Sequence, residues 1–172
     1  MADYYSPCVV TPPIPLADLS ATEAALLLAM FEYEMAEDTV YLFASRDVEE
    51  APVIDTQKIL KALFEDMKID CEAARILAAA LQATDENTRA IVIDMSAYSV
   101  DQVFQDIVAR SSTIDYIVVT GSFMCSSMKP DGFGGMATVI TARAVAGKST
   151  SDLIVDLLRD LDPKCELKGH DR

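Results

Sequence analysis

Apolar residues recur along this chain at two spacings, and the changes between them predict the order of helices and strands. Short alternating or continuous apolar runs predict four strands, at 39–44, 89–95, 114–120 and 136–142. Apolar positions three and four residues apart predict five helices, at about 20–35, 56–67, 70–82, 99–108 and 149–161. Helices and strands therefore mix along the chain instead of forming separate blocks.

The segment that precedes these elements, SPCVVTPPIP at residues 6–15, carries Pro12, Pro13 and Pro15 near its end. Proline has no backbone N–H to donate and does not fit the interior of a helix. We therefore expect an extended segment whose strand pairing is restricted to the edge of a sheet.

Two helix starts carry capping residues. Ser20-Ala-Thr-Glu23 is a capping box, and it predicts a helix that runs to about Met35. Ser149 or Thr150 predicts the start of the last helix. We expect an apolar stripe on this last helix to face inward, and the stripe consists of Leu153, Ile154, Leu157, Leu158 and Leu161.

The connection between the strands at 114–120 and 136–142 contains glycines and no helical pattern, so these two strands predict an antiparallel hairpin. Helices and strands that share one core indicate an α+β fold, with α/β as the alternative. We expect a single layered domain over residues 1–162, with a mixed sheet of about five strands and about five helices. A polar tail at 163–172 follows it.

The negative charge of the chain is confined to its first part. The net charge is −14, yet residues 107–172 hold 8 acidic against 8 basic side chains. Residues 1–106 hold 20 against 6. Two clusters stand out as candidate partner-binding residues, namely Glu32, Glu34, Glu37 and Asp38 in the first and Asp47, Glu49 and Glu50 in the second.

These clusters favour a basic protein as the partner and disfavour direct binding of nucleic acid, whose phosphates they repel. The alternative is an acidic face that keeps the protein in solution. The apolar fraction of 51% is high, and it favours a homo-oligomer, specifically a homodimer, that covers part of the apolar surface.

The sequence gives little indication of a membrane-spanning segment or of a metal site. No apolar run approaches the roughly 18 residues that span a bilayer, and the N-terminus lacks the pattern of a secretory signal. Cys8, Cys71, Cys125 and Cys165 are far apart and His170 is the only histidine. We therefore expect a cytoplasmic protein with reduced thiols, no metal site and no cofactor.

Three of the six glycines fall within KPDGFGG at 129–135. Such a segment predicts either a turn that uses glycine conformations or a binding loop. The helix start at Gly147-Lys-Ser resembles the end of a phosphate-binding loop, but Ala142 stands where that loop requires a glycine. The candidate ligand-binding residues are Lys129, Asp131, Phe133, Gly134, Gly135, Lys148 and Ser149.

The segments Met128-Lys-Pro-Asp-Gly-Phe-Gly-Gly135, Ile140-Thr-Ala142 and Gly147-Lys-Ser-Thr-Ser-Asp152 resemble a motif of small bacterial proteins of uncharacterised function. Those proteins belong to the accessory genome of plasmids and integrated elements. The resemblance is clearest over residues 114–160, and it implies a bacterial, mobile-element setting without an activity.

Three hypotheses for the function follow. The first is a non-enzymatic, acidic protein-interaction module, including the narrower form of a mobile-element decoy or inhibitor of a nucleic-acid-handling or host-defence protein. The second is a small-molecule or phosphate-binding module that uses residues 129–135 and 147–150. The third is an enzyme of unknown class, for which the sequence offers no catalytic residue, because no activating base accompanies Cys125, Ser126 or Ser127.

Overall fold

The computed structural model describes residues 3–85, 87–127, 129 and 132–161. Its helices are α1 (Ala21–Met30), α2 (Thr56–Glu65), α3 (Glu72–Gln82), α4 (Val100–Arg110) and α5 (Thr150–Leu161). Its strands are β1 (Tyr4–Tyr5), β2 (Cys8–Thr11), β3 (Ile14–Pro15), β4 (Glu32–Ala36), β5 (Thr39–Ala44), β6 (Val53–Asp55), β7 (Ala90–Val92), β8 (Tyr116–Cys125), β9 (Phe133–Thr141) and β10 (Val145–Ser149). The α+β class and the five helices are therefore confirmed.

Eight of the strands form one sheet in which all the pairings among described residues are antiparallel. β10, β9 and β8 form a meander at one side, and the β4–β5 hairpin forms the other side. The N-terminal segment β1–β3 lies between them. β6 and β7 form a separate two-stranded sheet. The expectation of a mixed sheet of about five strands is thus wrong in size and in strand direction.

The N-terminal segment occupies the centre of the sheet, which corrects the expectation of an edge strand. β2 pairs with β8 through Val10 and Val119 and with β5 through Val9 and Phe43. The prolines permit this arrangement because of where they fall. Pro12 and Pro13 separate β2 from β3 and Pro15 ends β3, so β2 itself contains no proline and keeps all its backbone donors.

Helix α1 ends at Met30, five residues before the position expected from the sequence. The backbone of Phe31 is extended, and residues 32–36 pair with β5 as strand β4. Here Glu, Tyr, Glu and Met alternate, so that charged and apolar side chains point to opposite faces of a strand. The hairpin turns at Glu37, whose φ of 42° lies in the left-handed region.

Helices α1 and α4 contact one face of the large sheet, and α2 and α3 pack against them and against the small β6–β7 sheet. The main core lies between the large sheet and these helices. The strand residues on this face are buried, and they include Val10, Ile14, Val40, Leu42, Ile117 and Ile140. Phe104 of α4 is fully buried, and its ring centroid lies 5.9 Å from that of Phe31. The hairpin predicted from 114–120 and 136–142 is confirmed by the antiparallel pairing of β8 with β9.

A buried polar cluster fixes α1 against its neighbours. The carboxylate of Asp66, which follows α2, accepts hydrogen bonds from Ala21 N at 3.1 Å and from the backbone and hydroxyl of Thr22, both at 2.6 Å. Glu23 completes the predicted capping box with Ser20. Its fully buried carboxylate also forms a salt bridge with Arg110 of α4.

Val10 tests the central position of the N-terminal segment. We expect Val10→Ala to lower the free energy of unfolding by about 2–3 kcal/mol, because a fully buried side chain leaves a cavity between the two halves of the sheet. Val9→Ala is the matched control, since the Val9 side chain is the neighbour of Val10 in the same strand, points to the opposite face and is 36% exposed. Urea denaturation followed by circular dichroism measures both. Equal costs for the two variants would contradict the central placement.

The pH dependence of stability at Asp66 tests the buried polar cluster. Burial raises the pKa of Asp66, but hydrogen bonds from Thr22, Ser20 and Ala21 outweigh it and hold the pKa below its usual value of 3.8. The folded state therefore binds the proton more weakly than the unfolded state, and the stabilisation is complete above pH 3.8 and lost below it.

We expect Asp66→Asn to lower the free energy of unfolding by about 2 kcal/mol at neutral pH. The difference from the native chain should shrink as the pH falls through the lowered pKa. Urea titrations between neutral and acidic pH measure it, with Glu65→Gln as the exposed control. A difference that stays constant with pH would contradict the assignment.

Candidate interaction surface

The face of the large sheet opposite α1–α4 carries exposed and half-exposed apolar side chains. Residues paired across strands point to the same face, so the register identifies its members. We call this surface the open face, and it consists of Val9, Tyr41, Phe43, Tyr116, Val118, Thr120, Ala137 and Val139. The rings of Tyr41 and Phe43 stack with their centroids 5.5 Å apart.

A shallow groove crosses one half of the open face. Its volume is about 480 Å³, and its floor includes Val9, Tyr41, Phe43 and Thr120. Glu34 of β4 forms part of its border. The groove therefore combines an aromatic floor with a carboxylate at its margin, and it lies over β8, β2, β5 and β4.

The two acidic clusters meet along the edge of the sheet formed by β4. We call Glu32, Glu34, Glu37, Asp38, Asp47, Glu49 and Glu50 the acidic edge, and all seven side chains are exposed. The loop after β5 returns to the start of β4, where Glu49 N donates to Met30 O at 3.0 Å. The second cluster thus lies beside the first, although the sequence separates them.

The carboxylates of the acidic edge make no salt bridge within the described residues. Hydrogen bonds from the hydroxyl and then the backbone of Ser45 lower the pKa of Glu32. Asp47 accepts a hydrogen bond from Ser6 N at 2.8 Å. The nearby cation Arg46 lies over the ring of Tyr5, 4.7 Å from its centroid. Local contacts therefore orient these carboxylates without neutralising them.

The candidate ligand-binding residues fall in strands more than in a loop. Gly134 and Gly135 lie within β9, and Phe133 begins it with 44% of its surface exposed. Lys129 is exposed, and Asp131 lies outside the described residues. At Gly134, a Cβ would lie 2.0 Å from the ring of Phe123 across the β8–β9 pair. A side chain at position 134 would therefore require the ring of Phe123 to move.

The glycine segment and the start of α5 do come together, since Gly135 N donates to Thr150 Oγ1 at 3.3 Å. However, Lys148 and Ser149 already have partners within the chain. Asp156 forms a salt bridge with Lys148 and, through its hydrogen bond, raises the Lys148 pKa. Ser149 caps α5 in a reciprocal pair of hydrogen bonds with Asp152.

The candidate ligand-binding residues do not line the groove on the open face, nor the grooves beside α1 and α2, beside α3 and β7, and at the start of α2. The ligand site therefore stays a prediction from the sequence. Lys148 and Ser149 contribute to the local fold through Asp156 and Asp152, and these contacts explain their positions without a ligand.

The apolar stripe of α5 corrects the expectation that it faces inward. Leu153, Ile154 and Leu157 are 52%, 55% and 51% exposed, and Leu161 is 82% exposed. Lys148 lies on the open face by register and pairs with Asp156, which places α5 beside the open face at the β9–β10 end. Leu158 of the same stripe is half-buried. The helical spacing revealed the stripe, but it could not reveal that, within the described residues, its other members stay exposed.

Catalytic and metal-binding groups are sparse in the part of the chain that the structure describes. No three His, Cys, Asp or Glu side chains there are placed to hold a metal ion. Cys125 is buried at the end of β8, and a backbone hydrogen bond at Ser127 is the main cause that lowers its pKa. No histidine lies among the described residues to act as its base.

No protein-family model, curated protein or solved structure matches this chain. The accessory-genome family suggested by the KPDGFGG segment therefore stays a prediction. Among the described helices, none is both long enough and apolar enough to cross a membrane.

Ser149 distinguishes a helix cap from a ligand site. We expect Ser149→Ala to destabilise the first turns of α5 by about 1 kcal/mol, because the backbone N–H of Asp152 loses its acceptor and the Asp152 carboxylate loses the hydroxyl donor. Hydrogen exchange of the α5 amides measures this, and Ser149→Thr, which keeps the hydroxyl, is the control. Unchanged exchange in Ser149→Ala, together with saturable amide shifts at Gly134 and Gly135 on adding inorganic phosphate, would favour the ligand site instead.

Proposed function

We propose that this chain is a non-enzymatic protein-interaction module whose acidic edge binds a basic partner protein. The observation that carries the proposal is the gathering of seven exposed carboxylates, from two separate sequence clusters, along one edge strand and its adjoining loop. None of them is neutralised by a salt bridge among the described residues.

Unpaired carboxylates in one region produce a local negative potential that attracts a basic surface and speeds its approach. Their spread supports a surface-sized partner more than a small cation. Residues 32–36 span roughly 16 Å of strand, with Glu37 and Asp38 at one end and Asp47, Glu49 and Glu50 at the other. Such a length suits a protein surface or an extended basic segment.

The edge strand also offers apolar anchors and free backbone groups. Tyr33 and Met35 are 47% and 53% exposed, on the face of β4 opposite to Glu32 and Glu34. β4 pairs only with β5 among the described residues, so its outer backbone groups are open to an added strand. The carboxylates disfavour pairing with a second acidic edge, and this favours a basic segment.

The narrower form of this proposal is a decoy or inhibitor that occupies the basic surface of a nucleic-acid-handling or host-defence protein. Such surfaces bind phosphates through lysine and arginine, and a row of carboxylates competes for the same side chains. The mobile-element setting implied by the KPDGFGG segment supports this narrower form.

Charge-neutralising variants test the proposal. We expect the native chain to capture a basic protein from a bacterial extract at about 50 mM salt and to release it at about 0.5 M. The triple variant Glu34→Gln, Glu37→Gln, Glu49→Gln should capture about tenfold less, since each exposed pair contributes about 0.5 kcal/mol. Quantitative mass spectrometry of the captured proteins measures this.

The matched control is Asp85→Asn, Asp115→Asn, Asp160→Asn, which removes the same charge from exposed positions elsewhere. Its capture should equal that of the native chain. Equal loss in both triple variants would indicate a nonspecific charge effect. Capture that survives neutralisation of the acidic edge, or the lack of any basic protein, would contradict the proposed function.

A further inference from the structure

We propose that the open face is a dimer interface between two copies of this chain, in which α5 of each copy lies in the groove of the other. This proposal does not depend on a basic partner at the acidic edge. It rests on two apolar surfaces that are exposed in the described part of the chain and on a charge pattern that matches them in one orientation.

The first argument is that each uncovered surface has the form that the other requires. α5 presents a ridge of Leu153, Ile154 and Leu157, all more than half exposed. The groove that crosses β8, β2, β5 and β4 has an apolar and aromatic floor of Val9, Tyr41 and Phe43. An amphipathic helix that lies in an apolar groove is a recurrent mode of recognition. In two copies, each ridge has a groove to fill.

The second argument comes from one row of cross-strand partners that crosses the whole open face. The register joins Lys148 to Ala137, Ala137 to Thr120, Thr120 to Val9, Val9 to Phe43 and Phe43 to Glu32. The row therefore begins with Lys148, which Asp156 of the same chain already pairs with, continues through four uncharged side chains and ends with the carboxylate of Glu32. Its midpoint lies between Thr120 on β8 and Val9 on β2.

A twofold axis that runs parallel to the strands through this midpoint places the β9–β10 end of one copy over the acidic β4 end of the other. It places Lys148 of one copy over Glu32 of the other and Thr120 over Val9. Arg143 in the β9–β10 turn lies at the same end of the strands as Glu37 and Asp38, because Thr141 pairs with Tyr116 and Thr39 with Ala36 at that end. The same axis therefore also brings Arg143 of one copy towards the Glu37–Asp38 turn of the other.

The same axis exchanges the two sides of the sheet. The strand positions run from β10 through β9, β8 and the N-terminal segment to β5 and β4. The rotation places β9 and β10 of one copy over β5 and β4 of the other. Since α5 lies beside the open face at the β9–β10 end, it reaches the part of the partner copy's groove that lies over β5 and β4. The perpendicular axis within the sheet plane would place acidic edge on acidic edge, which is repulsive.

The available area is adequate for a stable contact. Six strand positions about 4.8 Å apart and about five residues long give a face of roughly 400 Å² in projection. α5 has 12 residues and adds roughly 180 Å². About 600 Å² for each copy approaches the roughly 800 Å² of a standard interface.

A second exposed apolar stripe supplies a control. Leu60, Phe64 and Met67 follow helical spacing along α2 and beyond it, and they are 42%, 70% and 71% exposed. They lie on the helical side of the sheet, away from the open face. A dimer held by general stickiness would respond to changes at either stripe, whereas the proposed dimer responds only to changes in α5 and the groove.

Multi-angle light scattering and sedimentation velocity over a wide concentration range test the proposal. We expect the native chain to have twice the chain mass of 18.7 kDa. Leu157→Glu on the ridge and Thr120→Glu in the groove should each weaken association by about 30-fold or more. Phe64→Glu should leave it unchanged. Far-ultraviolet circular dichroism confirms that each variant is folded.

The outcomes separate the possibilities. A monomeric native chain would overturn the proposal. So would a dimer that persists in both Leu157→Glu and Thr120→Glu, because another surface, such as an edge strand, would then hold it. Loss of the dimer in Leu157→Glu alone would overturn the placement of α5 in the groove. Equal weakening by Phe64→Glu would indicate nonspecific association and overturn the specific interface.

Discussion

The insertion of the N-terminal segment between β8 and β5 is the constraint on which the rest of the fold depends. Without β2, the sheet would separate into a β4–β5 hairpin and a β8–β9–β10 meander that share no backbone hydrogen bonds. A two-stranded hairpin is marginal by itself in water. Val10 is fully buried where the two halves join, so the packing of α1–α4 across both halves depends on that segment.

Among the described residues, α1–α4 all lie on one side of that joined sheet, and the buried polar cluster helps to explain why these helices stay there. Asp66 supplies acceptors to the first turn of α1, and the Glu23–Arg110 salt bridge ties α1 to α4. Removing one partner of a buried charged pair is strongly unfavourable, so the cluster specifies a particular arrangement of these helices. The consequence is a helical layer fixed to one face and a second face with no helix from α1–α4.

The local elements of this fold could be predicted from the sequence more fully than their placement. Capping residues and apolar spacing located five helices and the β8–β9 hairpin, because these depend on neighbours in the chain. The β4 strand was missed since Tyr33 and Met35 continue the apolar spacing of α1, and only pairing with β5 decides between helix and strand. Likewise, prolines beside a strand do not reveal whether its remaining donors face another strand or solvent.

The surfaces were predicted unevenly for a related reason. Charge is visible in composition, so the members of the acidic edge could be named, although their gathering along β4 could not. The stripe of α5 was visible as well, yet whether an apolar stripe is covered depends on the rest of the fold. The exposure of the open face could not be predicted, because alternation along a strand distinguishes the two faces of a sheet but does not show whether another element covers each of them.

The acidic edge and the open face have separate proposed roles, namely binding of a basic partner and dimerisation. The proposed dimer connects the two roles. A twofold axis parallel to the strands leaves the two acidic edges at opposite sides of the pair, roughly 24 Å apart across six strand positions. Two such edges would bind a partner with two basic sites more tightly than either edge alone, because the second contact becomes intramolecular. An apolar interface and a charged edge on one sheet are therefore compatible. The interface determines how many acidic edges the assembly presents, and the charge of the edge determines which partners it attracts.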